Sequence, residues 1–172
     1  MNINSVSATL GMTLLAVGLV IAVPRINAAT AVSTVDKDFI LAAAQGGMTE
    51  VKLGELAAKN GERDDVKEFG QMMVKDHTII NDDLKTLAAQ KGVTLPDSLD
   101  ASHQGMVDKM AALKGSEFDD AYITSMIKGH KTDAKEFKAV SAETKDADIK
   151  SFLDKSIPVV DGHLKRITAM GK

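Results

Sequence analysis

Four stretches of this chain place large apolar residues three, four and seven positions apart, each stretch is long, and no run of alternating apolar and polar residues competes with them. That periodicity sets one face of a helix against a core, so the chain must bury four helical stripes against one another. The first stripe is Phe39, Ala43, Glu50, Leu53 and Ala57. The second is Val66, Phe69, Met73, His77, Ile80, Leu84 and Leu87. The third is Ile123, Met126, Ile127, His130, Ala134 and Phe137, and the fourth is Ile149, Phe152, Ser156, Val160, His163, Ile167 and Met170.

Punctuation residues divide the stripes. Thr34 or Asp36 is expected to cap the first helix, which should end at Asn60-Gly61 with Gly61 in the left-handed conformation. Asp64 is the expected cap of the second, which Gly92 ends, and Ser116 the expected cap of the third, with Glu117 and Asp119 in its first turn. Val93-Thr94-Leu95-Pro96-Asp97 breaks the chain, and a short amphipathic stretch runs from about Ser98 to Gly115. Lys145-Asp146 marks the turn before the last helix, which contains Pro158 and should kink there. The expected architecture is all-α: an antiparallel four-helix bundle with one short crossing helix between helices 2 and 3. Gly46, Gly47 and Gly54 lie inside helix 1, where glycine is costly, and close approach of a neighbouring helix would explain them.

The N-terminus reads differently. Val6 to Val23 carries no charge, and small residues follow in Ala28-Ala29-Thr30-Ala31. Residues 1–28 read as a signal peptide cut after Ala28, although Met1 to Ser5 has no Lys or Arg. The alternative is an uncleaved membrane anchor, since the apolar run approaches the roughly 20 residues that span a bilayer. Residues 29–35 then form a short linker and 36–170 the helical domain. Either way that domain is expected outside the cytoplasm, in the periplasm or cell envelope, with membrane contact only if the segment is uncleaved.

Composition removes several functions. With no cysteine, thiol nucleophiles, disulfides and Cys-ligated metal sites are excluded, and an exported chain must be stable by packing alone. Lys and Arg number 21 against 24 Asp and Glu, interspersed without a basic cluster, so nothing supports nucleic-acid binding. No Gly-x-Ser-x-Gly elbow or phosphate-binding glycine loop occurs.

What remains is on the apolar faces. Met73-Val74-Lys75-Asp76-His77 and Met126-Ile127-Lys128-Gly129-His130 share a pattern, their histidines 53 residues apart, each with an aromatic eight residues earlier, Phe69 and Tyr122. His163 and Glu50 occupy the same kind of face on the other two helices. One imidazole or carboxylate on each of four helices suits iron, zinc, copper or manganese, and a buried glutamate is costly unless paired or metal-bound. Glu50, His77, His130 and His163 are therefore the candidate metal ligands. The alternative is a satisfied polar core cluster in an interaction or stress module, for which an apolar patch on 98–114 would offer a partner surface.

A third alternative, a ferritin-like redox enzyme with a carboxylate-bridged dinuclear site, is disfavoured. Such sites use Glu-x-x-His on two helices, and the residues three before the histidines are Val74, Ile127 and Val160. Asp76, Asp133 and Asp161 stand near as partners for the imidazoles. Met73 and Met126, four residues before His77 and His130, read as core filling rather than as thioether ligands, and His103 as a surface residue.

Taken in order, Gly47-x-x-Glu50 with Leu53-Gly54, Met73-x-x-Asp76-His77, Gly115-x-x-Phe118-Asp119-x-x-Tyr122, Met126-x-x-x-His130 and Pro158-x-x-x-x-His163-Leu164 resemble a bacterial family of exported ferritin-like four-helix proteins of unknown function, often described as membrane or outer-membrane proteins. The resemblance covers about residues 36–170. It implies a ferritin-like bundle at the envelope, no established reaction, and Glu and His positions that fall on Glu50, His77, His130 and His163. Gly129 departs from the family's acidic residue before the second histidine, and Ile157 from its leucine before Pro158.

Overall fold

The computed structural model describes residues 32–171. The expected targeting segment, 1–28, and the start of the linker lie outside them. Five helices follow in order: α1 (Thr34–Asn60), α2 (Asp64–Gln90), α3 (Ala101–Ala111), α4 (Gly115–Glu143) and α5 (Ala147–Met170). Among the described residues there is no strand, and no helix is long and apolar enough to cross a membrane. The predicted order of four long helices and one short one is what forms.

Two hairpins build the molecule. α1 and α2 are joined by three residues and pack along their length, as do α4 and α5. α2 meets α5, α1 meets α4, and short α3 lies chiefly on α1 with a smaller contact to α4. The α1–α2 crossing is close because both helices lack a side chain there. A Cβ on Gly54 would lie 2.7 Å from the Gly70 carbonyl oxygen, and one on Gly70 would lie 2.6 Å from both the Gly54 carbonyl oxygen and the Ala57 Cβ. Close approach thus explains Gly54. At Gly47 a Cβ would collide with the amide end of the Asn81 side chain of α2, and at Gly46 it would meet nothing within 4 Å.

The core separates into two apolar clusters. One gathers Leu53, Val66, Phe69, Met73, Tyr122, Met126 and Ile167 with others around them. The second gathers Phe39, Ile40, Leu84, Leu87, Ile149 and Phe152. Glu50 falls between the two clusters along α1, His77 between them along α2, and His163 between Phe152 and Ile167 along α5, so the polar residues form a layer with oil above and below. Met73 and Met126 are buried members of the first cluster, as core-filling methionines should be.

Helix ends depart from the sequence reading at several caps, and at α2 a distant side chain supplies the acceptor. Ser33, not Thr34 or Asp36, caps α1, accepting from the Asp36 amide at 3.1 Å. Gly61 has φ −60° and is not left-handed. Its lack of a side chain serves space instead, since a Cβ would lie 2.8 Å from the Ala57 carbonyl oxygen and 3.2 Å from Asp119 Oδ1. Arg63 rather than Asp64 occupies the cap position of α2, with no side-chain cap of its own. Asp119 of α4 does that work: its carboxylate accepts from the Glu62 amide at 3.1 Å and the Arg63 amide at 2.9 Å. α4 likewise starts at Gly115, with Lys114 in the cap position and Ser116 inside the first turn. The positive φ values of Gly92 and Gly115, 65° and 60°, do call for glycine. Asp146 caps α5, accepting from the amides of Asp148 and Ile149, and α5 then runs through Pro158 as one helix.

Candidate metal centre

The polar layer brings three imidazoles to one point. Ring centroids are 5.9 Å apart for His77 and His130, 5.3 Å for His77 and His163, and 5.5 Å for His130 and His163. One ring nitrogen from each lies within 4.8 Å of those of the other two. All three rings are buried, His130 with 0% of its surface exposed and the other two with 3%. α2, α4 and α5 each deliver one histidine because each stripe turns that position toward the common axis.

The hydrogen bonds of these rings fix their chemistry. His77 Nδ1 faces Glu50 Oε2 at 2.9 Å. His130 Nδ1 donates to the Met126 carbonyl oxygen at 3.1 Å and has Glu50 Oε1 at 3.6 Å. His163 Nε2 donates to Asp76 Oδ2 at 3.0 Å. A carbonyl oxygen or an ionised carboxylate accepts and does not donate, so in each ring the proton sits on the nitrogen facing that oxygen. The remaining nitrogens, His77 Nε2, His130 Nε2 and His163 Nδ1, are buried and have no hydrogen-bond partner among the described residues. In the neutral rings these three nitrogens carry lone pairs. Buried polar atoms are normally paired, and three orphans of one kind in one layer call for a common explanation. A cation accepted by all three would answer it, and the donor set is of the kind that suits a transition metal.

The four sequence-selected residues do meet, but from two directions. The histidines face one another, whereas the Glu50 carboxylate engages the Nδ1 side of His77 and His130. Of the three nearby carboxylates, Asp76 is the partner of His163. Asp133 lies with Glu50 and His130 in a second group whose ligand atoms are within 4.8 Å of one another. Asp161 is outside, paired with Lys138 at 2.8 Å. His103 is also outside, partly exposed beside Asp100 at the start of α3.

Charge in the layer is set by burial against these partners. Burial disfavours a charged Glu50, but the charge and hydrogen bond of His77 hold the carboxyl below its ordinary range. Burial also opposes protonation of His77, and the Glu50 carboxylate overcomes it and raises the imidazole. His130 and His163 go the other way, lowered chiefly by burial, which keeps them neutral. Asp133 is pushed up to about 7, by burial first and by the neighbouring Glu50 charge second.

That raised carboxyl has a consequence for stability. Between an ordinary unfolded value near 3.8 and about 7 the folded chain holds a proton on Asp133 that the unfolded chain has released. Asp133 therefore contributes a loss of stability as pH rises through that window. Asp133→Asn, which mimics the protonated side chain, is expected to match the wild type near pH 4 and to be the more stable protein at pH 8. Thermal unfolding across pH checks this, and a constant difference between the two proteins would refute it.

Sequence reasoning did not anticipate the buried Tyr122 hydroxyl, which has no hydrogen-bond partner among the described residues. Its ring stacks on Phe118 at 5.6 Å and meets Phe69 edge-on, and Phe69 in turn packs against His163. The aromatic spacing before each histidine was the available signal. Sequence reasoning also missed a cavity of about 60 Å³ that reaches the layer, lined among others by Gly46, Glu50, His77, Asp133 and Glu136.

The chain belongs to the family described as "Domain of unknown function (DUF4142)", whose model matches residues 22–170. No curated protein matches it. Among solved structures it is similar to "CopM in the Cu(I)-bound form", with 18% identity, TM-score 0.65, and coverage of 78% of this chain and 93% of that one. "CopM in the Cu(II)-bound form" matches with 18% identity, TM-score 0.66, and coverage of 78% and 94%. The "DUF305 fragment from Deinococcus radiodurans" matches with 8% identity, TM-score 0.70, and coverage of 80% and 95%. At these identities the likeness is one of fold.

Proposed function

We propose that this DUF4142 protein is an exported envelope protein whose domain, a ferritin-like four-helix bundle, holds one transition-metal ion between His77, His130 and His163. The observation that carries the reading is the set of three buried, unpartnered imidazole nitrogens, each opposite a nitrogen held by an acceptor. Copper is the first candidate among copper, zinc, iron and manganese. Imidazoles accept all of these, copper stands highest in the affinity order, and proteins of like fold are described in Cu(I)-, Cu(II)- and Ag-bound forms. Bound there, the metal would supply either a stored cation or a redox couple.

Glu50 and Asp76 act on the metal through the rings. Each carboxylate takes the N–H of a histidine, sets its tautomer and orientation, and raises the basicity of the opposite nitrogen. The aliphatic Val74, Ile127 and Val160 in the positions three before the histidines count against a dinuclear oxidase reading. A second reading has one observation in its favour. The Glu50–His77 pair, at 2.9 Å and with opposite charges favoured on both sides, is a sound metal-free contact, so the layer could serve only to specify the packing of an interaction module.

Metal analysis separates the two. Protein stripped with chelator and reloaded with Cu(I), Cu(II) or Zn(II) is expected to retain about one ion per chain after desalting, filling the one three-imidazole site. His77→Ala combined with His130→Ala is expected to retain none. No stoichiometric uptake by the wild type, or equal uptake by the double variant, would sink the metal reading in favour of the structural one.

A further inference from the structure

The three imidazoles are buried, so a cation that reaches them must pass through the protein. The cavity of about 60 Å³ runs from the surface to the layer: Ala42 and Glu136 in its lining are exposed, while His77, the one of the three histidines that lines it, is 3% exposed. Its volume holds a few water-sized species. Three carboxylates line it, Glu136 outermost, Asp133 half-buried, Glu50 innermost, and no Lys or Arg does. Glu50 and Asp133, with His130, already lie within 4.8 Å of one another, close enough to share a small cation.

One wall is bare for no packing reason. Ala42, Gly46 and Glu50 follow one another at four-residue steps on α1, so Gly46 stands one turn outside Glu50 on the cavity face. A Cβ at Gly47 or Gly54 would meet a neighbouring side chain or backbone, but one at Gly46 would meet nothing within 4 Å. A mid-helix glycine costs stability, and here no helix contact requires it.

We propose that this cavity between α1 and α4 is the port through which a divalent or monovalent transition-metal cation enters and leaves, with Glu136 at its mouth and the Glu50–Asp133 pair as the transit site from which the ion is handed to the histidines. The port rests on the proposed metal site but says something separate about it, because a path changes rates and leaves the endpoint alone. Acidic walls in a low-dielectric cleft raise the local concentration of cations, and the bare Gly46 keeps the channel clear.

Gly46→Leu is the direct test, since the side chain would project into open space within a helix that leucine favours. Gly105→Leu in α3, also free of contacts within 4 Å, is the control for a helix substitution elsewhere. Full-length protein is mixed with Cu(II) in stopped flow, loading is followed by the visible absorption of imidazole-bound copper, and release is followed into excess chelator. Gly46→Leu is expected to slow loading and release by the same factor, roughly tenfold or more, with unchanged stoichiometry and affinity, while Gly105→Leu behaves as wild type. Glu136→Gln is expected to slow loading and to flatten its dependence on salt. Wild-type rates in Gly46→Leu overturn the port and leave the metal site standing, as does a Gly46→Leu protein that never reaches wild-type stoichiometry. A wild type that takes up no copper overturns the site and the port with it.

Discussion

Copper at a free concentration one hundred times its dissociation constant is expected to stabilise the wild-type domain by about 2.7 kcal/mol, because a ligand that binds only the folded chain pulls the equilibrium toward it. For a domain of this size that raises the unfolding midpoint by roughly 5–10 °C. In His130→Ala the rise should vanish. His130 is the most deeply buried of the three, and its Nε2 is one of the three imidazole nitrogens without a hydrogen-bond partner among the described residues. The variant also loses a packed ring, so each protein must be compared with its own metal-free form. Asp76→Asn should keep the rise but need about 10–100-fold more copper, since the partner of His163 Nε2 is weakened and not the ligand itself. Scanning calorimetry with and without copper reads all three. An undiminished rise in His130→Ala would show that copper binds elsewhere.

Asp119→Ala should be the most damaging substitution away from the layer. The side chain is 1% exposed and accepts from two successive backbone amides at the start of α2, Glu62 and Arg63. Truncation leaves both N–H groups without an acceptor, removes charge-assisted bonds, and takes an anion from a helix N-terminus. A cost of roughly 3 kcal/mol is expected, a fall of roughly 6–12 °C in the unfolding midpoint. Asp119→Asn keeps one side-chain oxygen as an acceptor and should recover part of the loss. A cost below about 1 kcal/mol in denaturant unfolding would show that water replaces the carboxylate and that the α1–α2 link needs no tether from α4.

Asp119 also shows where reading the chain in one dimension stops. Asp64 looked like the cap of α2 because capping is usually local, and an aspartate before an apolar stripe fits the rule. The acceptor comes instead from α4, 57 residues beyond Glu62. Gly61 likewise looked like a left-handed turn residue, but with φ −60° it is small because a Cβ would press on the Ala57 carbonyl oxygen first and that carboxylate second. Among the helix glycines, Gly54 was rightly tied to close packing and Gly47 meets a side chain of α2, while Gly46, beside Gly47 in sequence, faces open space. Neighbouring residues on a helix point in directions about 100° apart, so their environments are unrelated until the partner helices are placed.

The sequence by itself determined the helices, their order, and the presence of one polar side chain on each of four apolar faces. The reason is that helical periodicity fixes the angle of a residue about its own axis, and an apolar stripe has one direction to turn. For His77 and His163, tertiary structure alone decided which ring nitrogen is free, because Glu50 of α1 and Asp76 of α2 take the other one, whereas the Met126 carbonyl that holds His130 lies one turn back on the same helix. It also decided that Glu50 faces the outer nitrogens of His77 and His130, and that of three nearby aspartates only Asp76 meets an imidazole nitrogen within hydrogen-bond distance. Ring orientation is a matter of side-chain torsions selected by contacts across the layer, and no spacing along one helix encodes what the next helix presents to it.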